Sequence, residues 1–105
     1  MAKRFVPSAG DIVWLNFSPP AGRGPALVLS PAAYNDKTSL MLCCPVTAQA
    51  KNYPFEVPIA GKPPSAALAD QVKSLDWRGR KAVRKGRVSP DELNQVRAMI
   101  LALVE

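Results

Sequence analysis

The residues in this chain best suited to chemistry are an arginine and its neighbouring glycines, Gly22-Arg23-Gly24. The guanidinium of Arg23 is planar and permanently charged, and its donors match the oxygens of a phosphate. Glycine on either side lets the backbone pass close to a ligand. Pro25 begins an apolar run that predicts a buried β-strand directly after the loop. The segment therefore predicts a cation that could bind a phosphodiester, although an exposed arginine on a turn is the alternative.

A second group of candidates is a basic segment between positions 73 and 87. It holds half of the fourteen Lys and Arg residues of the chain, namely Lys73, Arg78, Arg80, Lys81, Arg84, Lys85 and Arg87. Such a series of cations can follow a nucleic-acid backbone. Trp77 lies among them, and Phe17, Tyr53 and Phe55 could supply further aromatic rings that stack on unpaired bases. A solvated hairpin is the alternative interpretation.

Three polar residues elsewhere are also candidates for binding. Thr47 and Gln49 follow the apolar run 40–46, where a hydroxyl can cap a turn or donate to a phosphate. Asp70 lies in an apolar stretch, and aspartate is rarely buried without a partner. We expect its carboxylate either to pair with an arginine or to accept hydrogen bonds from a base.

The composition excludes several kinds of mechanism. Histidine is absent, which removes imidazole as a general acid or base and as a metal ligand. Cys43 and Cys44 are adjacent in an apolar run, so two buried thiols are expected rather than a disulfide or a zinc site. Free thiols fit a reducing cytoplasm. No metal site or cofactor motif is recognised.

The net charge of +6 favours an anionic partner, such as nucleic acid, an acidic protein segment or a membrane surface. No apolar run approaches the ~20 residues that span a bilayer. No signal peptide is expected at the N-terminus.

The elements that must position these residues are several short strands followed by one helix. Strands are predicted at 12–17, 25–30, 40–46, 55–59, 66–75 and 83–88, with one helical turn at 31–36 and loops at 18–22 and 61–65. Ser89-Pro90-Asp91-Glu92 has the capping-box pattern of a helix start. Leu93, Val96, Ile100 and Leu103 then form one apolar stripe on a helix of about 15 residues. The 105 residues are expected to form one domain of mainly β (α+β) class, a small antiparallel barrel with a C-terminal α-helix.

The order and spacing of several segments resemble the MazF/PemK family of toxins over nearly the whole chain. These segments are Gly10-Asp11-x-x-Trp14, 25–31, Pro45-x-Thr47, 53–57 and 68–74. The resemblance implies an SH3-like barrel that acts as a cytoplasmic homodimer. It also implies a toxin of a type II toxin–antitoxin system, a metal-independent and sequence-specific endoribonuclease that cuts single-stranded RNA in mRNA. The products would carry a 2′,3′-cyclic phosphate and a 5′-hydroxyl. A cognate antitoxin with an acidic, disordered tail would block the RNA groove.

The resemblance implies that Arg23 and Thr47 are the catalytic residues. Both would donate to the non-bridging oxygens of the phosphate, where negative charge accumulates. The implied RNA-contacting residues are Phe17, Gln49, Lys51, Phe55, Asp70 and Gln71. Arginine has a pKa above ~12 and is a poor acid or base, so proton transfer would need Asp70 or water.

One position departs from the family pattern. The family places its arginine directly before the proline, after a longer loop that contains a carboxylate, whereas here Gly24 separates Arg23 from Pro25. We therefore expect the arginine to lie one residue, or ~3.3 Å, from its usual place, which could weaken catalysis. Two other functions stay open: a non-catalytic, CcdB-like toxin that binds DNA gyrase, and an RNA-binding barrel with impaired catalysis.

Overall fold

The computed structural model describes residues 5–17, 22–61 and 64–105. Its strands are β1 (Asp11–Asn16), β2 (Arg23–Val28), β3 (Leu40–Thr47), β4 (Glu56–Ile59), β5 (Ser65–Leu68), β6 (Lys73–Asp76) and β7 (Val83–Arg87). Helix α1 (Ala32–Thr38) joins β2 to β3, and α2 (Pro90–Val104) follows β7. A 3-10 turn (Ala69–Gln71) separates β5 from β6. The predicted loop at 18–22 lies outside the described residues except for Gly22, whereas in the predicted loop at 61–65 only 62 and 63 lie outside them, and Ser65 already begins β5.

The strands form one curled, antiparallel sheet with the order β4-β5-β3-β2-β1-β7, and β6 pairs with β3. Alternate residues of β2 face opposite sides of this sheet. Ala26 and Val28 pack in one apolar cluster with Val13 and Leu15. Leu27 packs in a second cluster that includes Val96 of α2. The predicted mainly-β fold with a C-terminal helix is confirmed, and the sheet curls as a half-barrel with α2 against one side.

The single strand predicted at 66–75 is wrong, because β5 and β6 are separate strands. Both pair with the same edge of β3, but in different registers. Val46 faces Ala67, whereas Cys43, three residues earlier on β3, faces Lys73, six residues later than Ala67. The surplus of three residues forms the 3-10 turn. Asp70 therefore lies on an exposed turn and not inside a strand.

Helix α2 begins with the predicted capping box. The Ser89 hydroxyl accepts a hydrogen bond from the backbone N–H of Glu92, and Glu92 Oε1 accepts one from the N–H of Ser89. Glu92 Oε2 also accepts a 2.7 Å hydrogen bond from the N–H of Ala60, just after β4. The predicted apolar stripe is correct only in part, because Val96 is buried whereas Leu103 is exposed.

Helix α1 is longer than the single turn predicted at 31–36, and its buried residue is Asn35. The side-chain amide of Asn35 donates to the backbone carbonyl oxygens of Pro7 and Ser30, and the backbone carbonyl oxygen of Asn35 accepts a hydrogen bond from the indole of Trp77. These bonds join α1 to the N-terminal segment and to the turn after β6. Asn35 is therefore a structural residue of the core.

Candidate active site

Arg23 is the first residue of β2 and lies opposite Asn16, the last residue of β1. Its Nη1 donates a 2.8 Å hydrogen bond to Oδ1 of Asn16. Its Nη2 lies 3.5 Å from the carbonyl oxygens of Trp14 and Lys81. The guanidinium is exposed and has further N–H groups that can donate to a ligand.

Gly24 explains what the departure from the family pattern does to the site. It lies opposite Leu15 and is buried, so it belongs to the other face of the sheet from Arg23. A Cβ at this position would lie 3.2 Å from Cε2 of Phe17. An arginine at position 23 rather than 24 is therefore not only moved along the strand. Its side chain also projects from the opposite face of the sheet.

The end of β1 is surrounded by positive charge. Arg80 Nη1 donates a 3.1 Å hydrogen bond to the carbonyl oxygen of Asn16. Lys73 Nζ lies 5.8 Å from the centroid of the Phe17 ring. With Arg23, these side chains form what we call the cation cluster: Arg23, Lys73 and Arg80. Within the described ranges, none of the three forms a salt bridge with a carboxylate.

The rest of the predicted basic segment is partly used to stabilise the fold. Arg84 and Arg87 both pair with Asp11, at the opposite end of β1. Arg78 pairs with Asp36 and stacks over Trp77, with its guanidinium carbon 4.3 Å from the ring centroid. Trp77 itself is buried and is a core residue. The basic segment is therefore neither a continuous row of cations available to a nucleic-acid backbone nor a simple solvated hairpin.

Thr47 lines a cavity of about 280 Å³ at the end of β3. The cavity brings together four of the predicted site residues, and its lining is Thr47, Gln49, Lys51, Tyr53, Glu56, Leu68 and Gln71. Tyr53 was predicted only as a possible stacking ring, and Glu56 and Leu68 were not predicted to contact RNA. Their membership in the segments 53–57 and 68–74, which carry the family resemblance, was the available signal.

The hydroxyl of Thr47 is oriented by a local turn. Its Oγ1 accepts a 3.0 Å hydrogen bond from the backbone N–H of Gln49. Since a hydroxyl can accept and donate at the same time, this bond occupies a lone pair and leaves the proton available to a ligand. The two predicted roles of this hydroxyl, capping a turn and donating to a phosphate, are therefore compatible.

The loop between Lys51 and Glu56 is closed by the Glu56 side chain. Glu56 Oε1 accepts a 2.9 Å hydrogen bond from the N–H of Lys51, and the N–H of Glu56 donates to the carbonyl oxygen of Tyr53. The Tyr53 side chain projects from this closed loop and is 61% exposed. The aromatic ring of Tyr53 is thus exposed to solvent on a loop that hydrogen bonds hold closed.

The structure leaves four predicted site residues outside the lining of this cavity. Phe17 and Arg23 lie at the adjoining ends of β1 and β2, and Phe55 is half-buried in the closed loop. Asp70 is exposed on the 3-10 turn, next to Gln71. The candidate site therefore has two parts, the cation cluster and the cavity around Thr47.

These two parts meet where β2 and β3 separate. The ladder between the strands ends at the pair Ala26 and Pro45. Beyond it, β2 continues only beside β1, while β3 continues beside β5. Arg23 lies at the free end of one strand and Thr47 at the free end of the other. The alternation of side chains places Thr47 on the same face of the sheet as Gly24, whereas Arg23 leaves the other face. A ligand that contacts both side chains must therefore pass around the open ends of these strands.

The two cysteines take no part in such chemistry. Burial raises the pKa of Cys43 to about 11 and that of Cys44 to about 12. Both thiols therefore stay protonated at neutral pH, and a protonated thiol is a poor nucleophile. No three His, Cys, Asp or Glu side chains group as metal ligands in the part of the chain that the structure describes.

Comparisons with known proteins find relatives along the whole chain. A profile described as the PemK-like, MazF-like toxin of type II toxin–antitoxin systems matches residues 8–104. The chain is 49% identical to the endoribonuclease toxin MazF of Escherichia coli K12, covering 99% of each chain. It is 31% identical to the endoribonuclease toxin ChpB of the same strain, covering all of both chains.

Solved structures resemble the chain equally closely. A crystal structure of MazE–MazF from Deinococcus radiodurans matches with a TM-score of 0.89 at 50% identity, covering 96% of this chain and 97% of that one. A crystal structure of MazF from the same organism matches with a TM-score of 0.89 at 49% identity, covering 96% of this chain and 98% of that one. Neither helix of the described residues is long and apolar enough to cross a membrane.

Proposed function

Because the chain belongs to the PemK-like, MazF-like family of toxins of type II toxin–antitoxin systems, we propose that it cleaves single-stranded RNA with Arg23 and Thr47. The protein is an endoribonuclease toxin, like its Escherichia coli relatives. One observation supports the choice of residues. Beyond the β2–β3 ladder the two strands separate, and the terminal residue of each one there, Arg23 of β2 and Thr47 of β3, carries a hydrogen-bond donor. Arg23 is fixed on one side by Asn16, and Thr47 offers a hydroxyl proton on the other.

The reaction that suits these donors is attack by the ribose 2′-oxygen on the adjacent phosphorus. A bond forms between phosphorus and the 2′-oxygen, and the bond from phosphorus to the 5′-oxygen of the next nucleotide breaks. The products are a 2′,3′-cyclic phosphate and a 5′-hydroxyl. Negative charge accumulates on the non-bridging oxygens, where a guanidinium and a hydroxyl stabilise it. We expect this cleavage to proceed without a metal ion.

The two proton transfers of this reaction require a third group. The 2′-hydroxyl loses a proton and the departing 5′-oxygen gains one. Neither arginine nor threonine exchanges protons readily near neutral pH. Asp70 is the candidate carboxylate, since it is exposed beside the cavity residue Gln71, and water is the other available carrier.

The charge distribution supports an extended RNA path. The cation cluster carries three positive charges at the end of β1, and Lys85 adds a cation 5.5 Å from the centroid of the Trp14 ring. Cations beside aromatic rings are characteristic of surfaces that bind unpaired nucleic acid. Affinity for RNA should fall steeply as salt rises.

A cognate antitoxin is the second partner of this toxin. MazF of Deinococcus radiodurans crystallises with MazE, and the same family membership assigns a MazE-like protein to this chain. We infer that an acidic segment of that antitoxin covers the cation cluster, because the toxin carries a net charge of +6. Competition between RNA and the antitoxin for the wild-type protein, lost when Lys73 and Arg80 are both replaced by Ala, would support this arrangement.

A second copy of the chain is the third partner. An apolar groove lies between α2 and the sheet, lined by Leu29, Leu42, Val72, Arg97, Ile100 and Leu101. Leu42, Val72 and Leu101 are all more than a third exposed, and exposed apolar patches mark interaction sites. We infer a homodimer through this face, in the cytoplasm where the RNA substrate is found. Sedimentation of Leu101→Asp as a monomer would support it, and an unchanged dimer would contradict it.

The proposed activity is tested by incubating a defined single-stranded RNA with the purified protein in EDTA. The expected result is fragments with 5′-hydroxyl ends, each matched by an upstream 2′,3′-cyclic phosphate. Binding of RNA without any cleavage would instead support the RNA-binding barrel with impaired catalysis. The gyrase-binding alternative is not favoured, because the matched relatives are endoribonucleases.

A further inference from the structure

We propose that the turn between β6 and β7, residues 77–82, holds the guanidinium of Arg23 in place, and that Asp76 and Lys81 are the positioning residues through which it does so. The proposal rests on the proposed function, since it takes Arg23 as the catalytic cation. It adds to the residues on which cleavage depends two that need not touch the RNA.

The turn reaches Arg23 through the backbone of Lys81. Nη2 of Arg23 lies 3.5 Å from the carbonyl oxygen of Lys81. Lys81 has a φ of 55°, in the left-handed region that residues other than glycine adopt only rarely. Because the direction of a carbonyl group depends on the backbone angles of its residue, this conformation aims the acceptor at Arg23. A residue that cannot adopt it would turn the acceptor away.

The same turn holds Asn16, the side-chain partner of Arg23. The N–H of Asn16 donates a 3.0 Å hydrogen bond to the carbonyl oxygen of Arg80. In return, Nη1 of Arg80 donates a 3.1 Å hydrogen bond to the carbonyl oxygen of Asn16. Both backbone polar groups of Asn16 are thus bound by one residue of the turn. Since Oδ1 of Asn16 accepts the 2.8 Å bond from Arg23, a displaced turn would move both acceptors of the guanidinium together.

Asp76, the last residue of β6, closes the turn with a single oxygen atom. Its Oδ1 accepts hydrogen bonds of 3.1 and 3.0 Å from the N–H groups of Arg78 and Gly79. The same atom accepts a 2.7 Å bond from the hydroxyl of Ser39, the residue that joins α1 to β3. The bonds from Gly79 and Ser39 are the main reasons why the pKa of Asp76 lies below its ordinary value of 3.8. This oxygen therefore fixes the start of the turn to the rest of the fold.

The first experiment measures steady-state cleavage of a defined single-stranded RNA by variants of Asp76. Asp76→Ala removes the acceptor, so kcat should fall about tenfold with little change in KM. Asp76→Asn keeps an oxygen that can accept the same three bonds and should retain most of the activity. Asp36→Ala is the matched control, because it removes an aspartate that pairs with Arg78 of the turn but leaves the bonds to Asp76 intact. A wild-type kcat in Asp76→Ala would overturn the proposal.

A pair of substitutions at Lys81 tests the backbone conformation separately from the charge. Lys81→Gly and Lys81→Val remove the same positive charge, but glycine adopts a positive φ without strain and β-branched valine does not. The kcat of Lys81→Val should therefore be about tenfold lower than that of Lys81→Gly, at similar KM. Urea unfolding shows that each variant is folded under the assay conditions. Equal kcat values for the two folded variants would contradict the part assigned to Lys81.

A double-mutant cycle distinguishes positioning of Arg23 from a general loss of activity. Asp76→Ala should lower the single-turnover rate about tenfold in the wild-type background. In the Arg23→Ala background it should have no further effect, because substitutions that act through one group are not additive. A second tenfold loss in that background would show that Asp76 acts independently of Arg23 and would overturn the proposal.

NMR of protein labelled with ¹⁵N in arginine tests the positioning without cleavage. The guanidinium signals of Arg23 are assigned by their loss in Arg23→Ala. A held guanidinium rotates slowly, so its two Nη signals should be separate in wild-type protein and Asp36→Ala, and should merge in Asp76→Ala and Lys81→Val. Merged signals in the wild type, or separate signals in every variant, would overturn the proposal. Failure of wild-type protein to cleave any RNA would contradict the proposed function, while the NMR result would still decide on the turn.

Discussion

Arg23 and Asn16 face each other across β2 and β1, and Nη1 of the arginine donates a 2.8 Å hydrogen bond to Oδ1 of the asparagine. The acceptor is a neutral amide, so the guanidinium is oriented without being neutralised. A carboxylate in this place would form a salt bridge and offset the charge that a phosphate needs. Asn16 is therefore a positioning residue for the proposed catalytic cation.

The first prediction concerns this positioning. Asn16→Ala should lower kcat on single-stranded RNA by on the order of 10²-fold, because small displacements of a positioned group have effects of that size. KM should change little, since Lys73 and Arg80 still bind the RNA backbone. Steady-state kinetics on a defined RNA measure both. Asn94→Ala, at an exposed position of α2, is the control, and an unchanged kcat in Asn16→Ala would contradict the positioning role.

The second prediction concerns the hydroxyl of Thr47. Thr47→Val keeps the shape of the side chain but removes the donor, so kcat should fall by about 10²- to 10³-fold. Thr47→Ser keeps both the donor and the acceptor for the Gln49 N–H, and should retain most of the activity. Comparable rates for the valine and serine variants in single-turnover cleavage would show that the hydroxyl has no catalytic role.

The third prediction concerns stability and pH. Hydrogen bonds from the N–H groups of Ala60 and Ser89 hold the pKa of Glu92 below its ordinary value of 4.5. The folded state therefore binds a proton less readily than the unfolded state, so this stabilisation is present above pH 4.5 and is lost as the pH falls below it. Glu92→Gln should lower the free energy of unfolding at pH 7 by about 1 kcal/mol, with a smaller difference at pH 3.

Asp91→Asn is the matched control for this effect. Asp91 is acidic and lies in the same first turn of α2, but its carboxylate accepts no hydrogen bond from the described residues. Its replacement should cost only the helix-dipole interaction, a few tenths of a kcal/mol. Urea unfolding of both variants at the two pH values gives the comparison. Equal losses in Glu92→Gln and Asp91→Asn would show that the bonds to Ala60 and Ser89 contribute little.

Local sequence patterns predicted those parts of the fold that depend on local chemistry. The capping box at Ser89 and Glu92 formed as expected, because its two residues are only three positions apart and need no long-range contact. The break between β5 and β6 was missed, because apolar character continues through 66–75. What interrupts the strand is its change of register along β3, which is a property of the pairing and not of the segment itself.

The candidate site was likewise predictable where it depends on local sequence and not where it depends on strand pairing. Thr47, Gln49, Lys51 and Gln71 were predicted and do share a cavity. The one-residue displacement of the arginine was also visible in the sequence, but its consequence was not. Whether position 23 or 24 faces Phe17 depends on the register of β1 and β2, and a change of one residue exchanges the faces. Tyr53 was predicted as a possible stacking ring, but its place in the cavity depends on the loop that Glu56 closes, which spacing alone does not indicate.

The most direct test of the account is single-turnover cleavage of a defined single-stranded RNA in EDTA by wild-type protein and Arg23→Ala. Lys37→Ala, which removes one exposed positive charge from α1, controls for the loss of charge. We predict cyclic-phosphate products from wild-type and Lys37→Ala, and a rate at least 10²-fold lower for Arg23→Ala. Cleavage by Arg23→Ala at the wild-type rate would contradict the assignment of Arg23 as the catalytic cation.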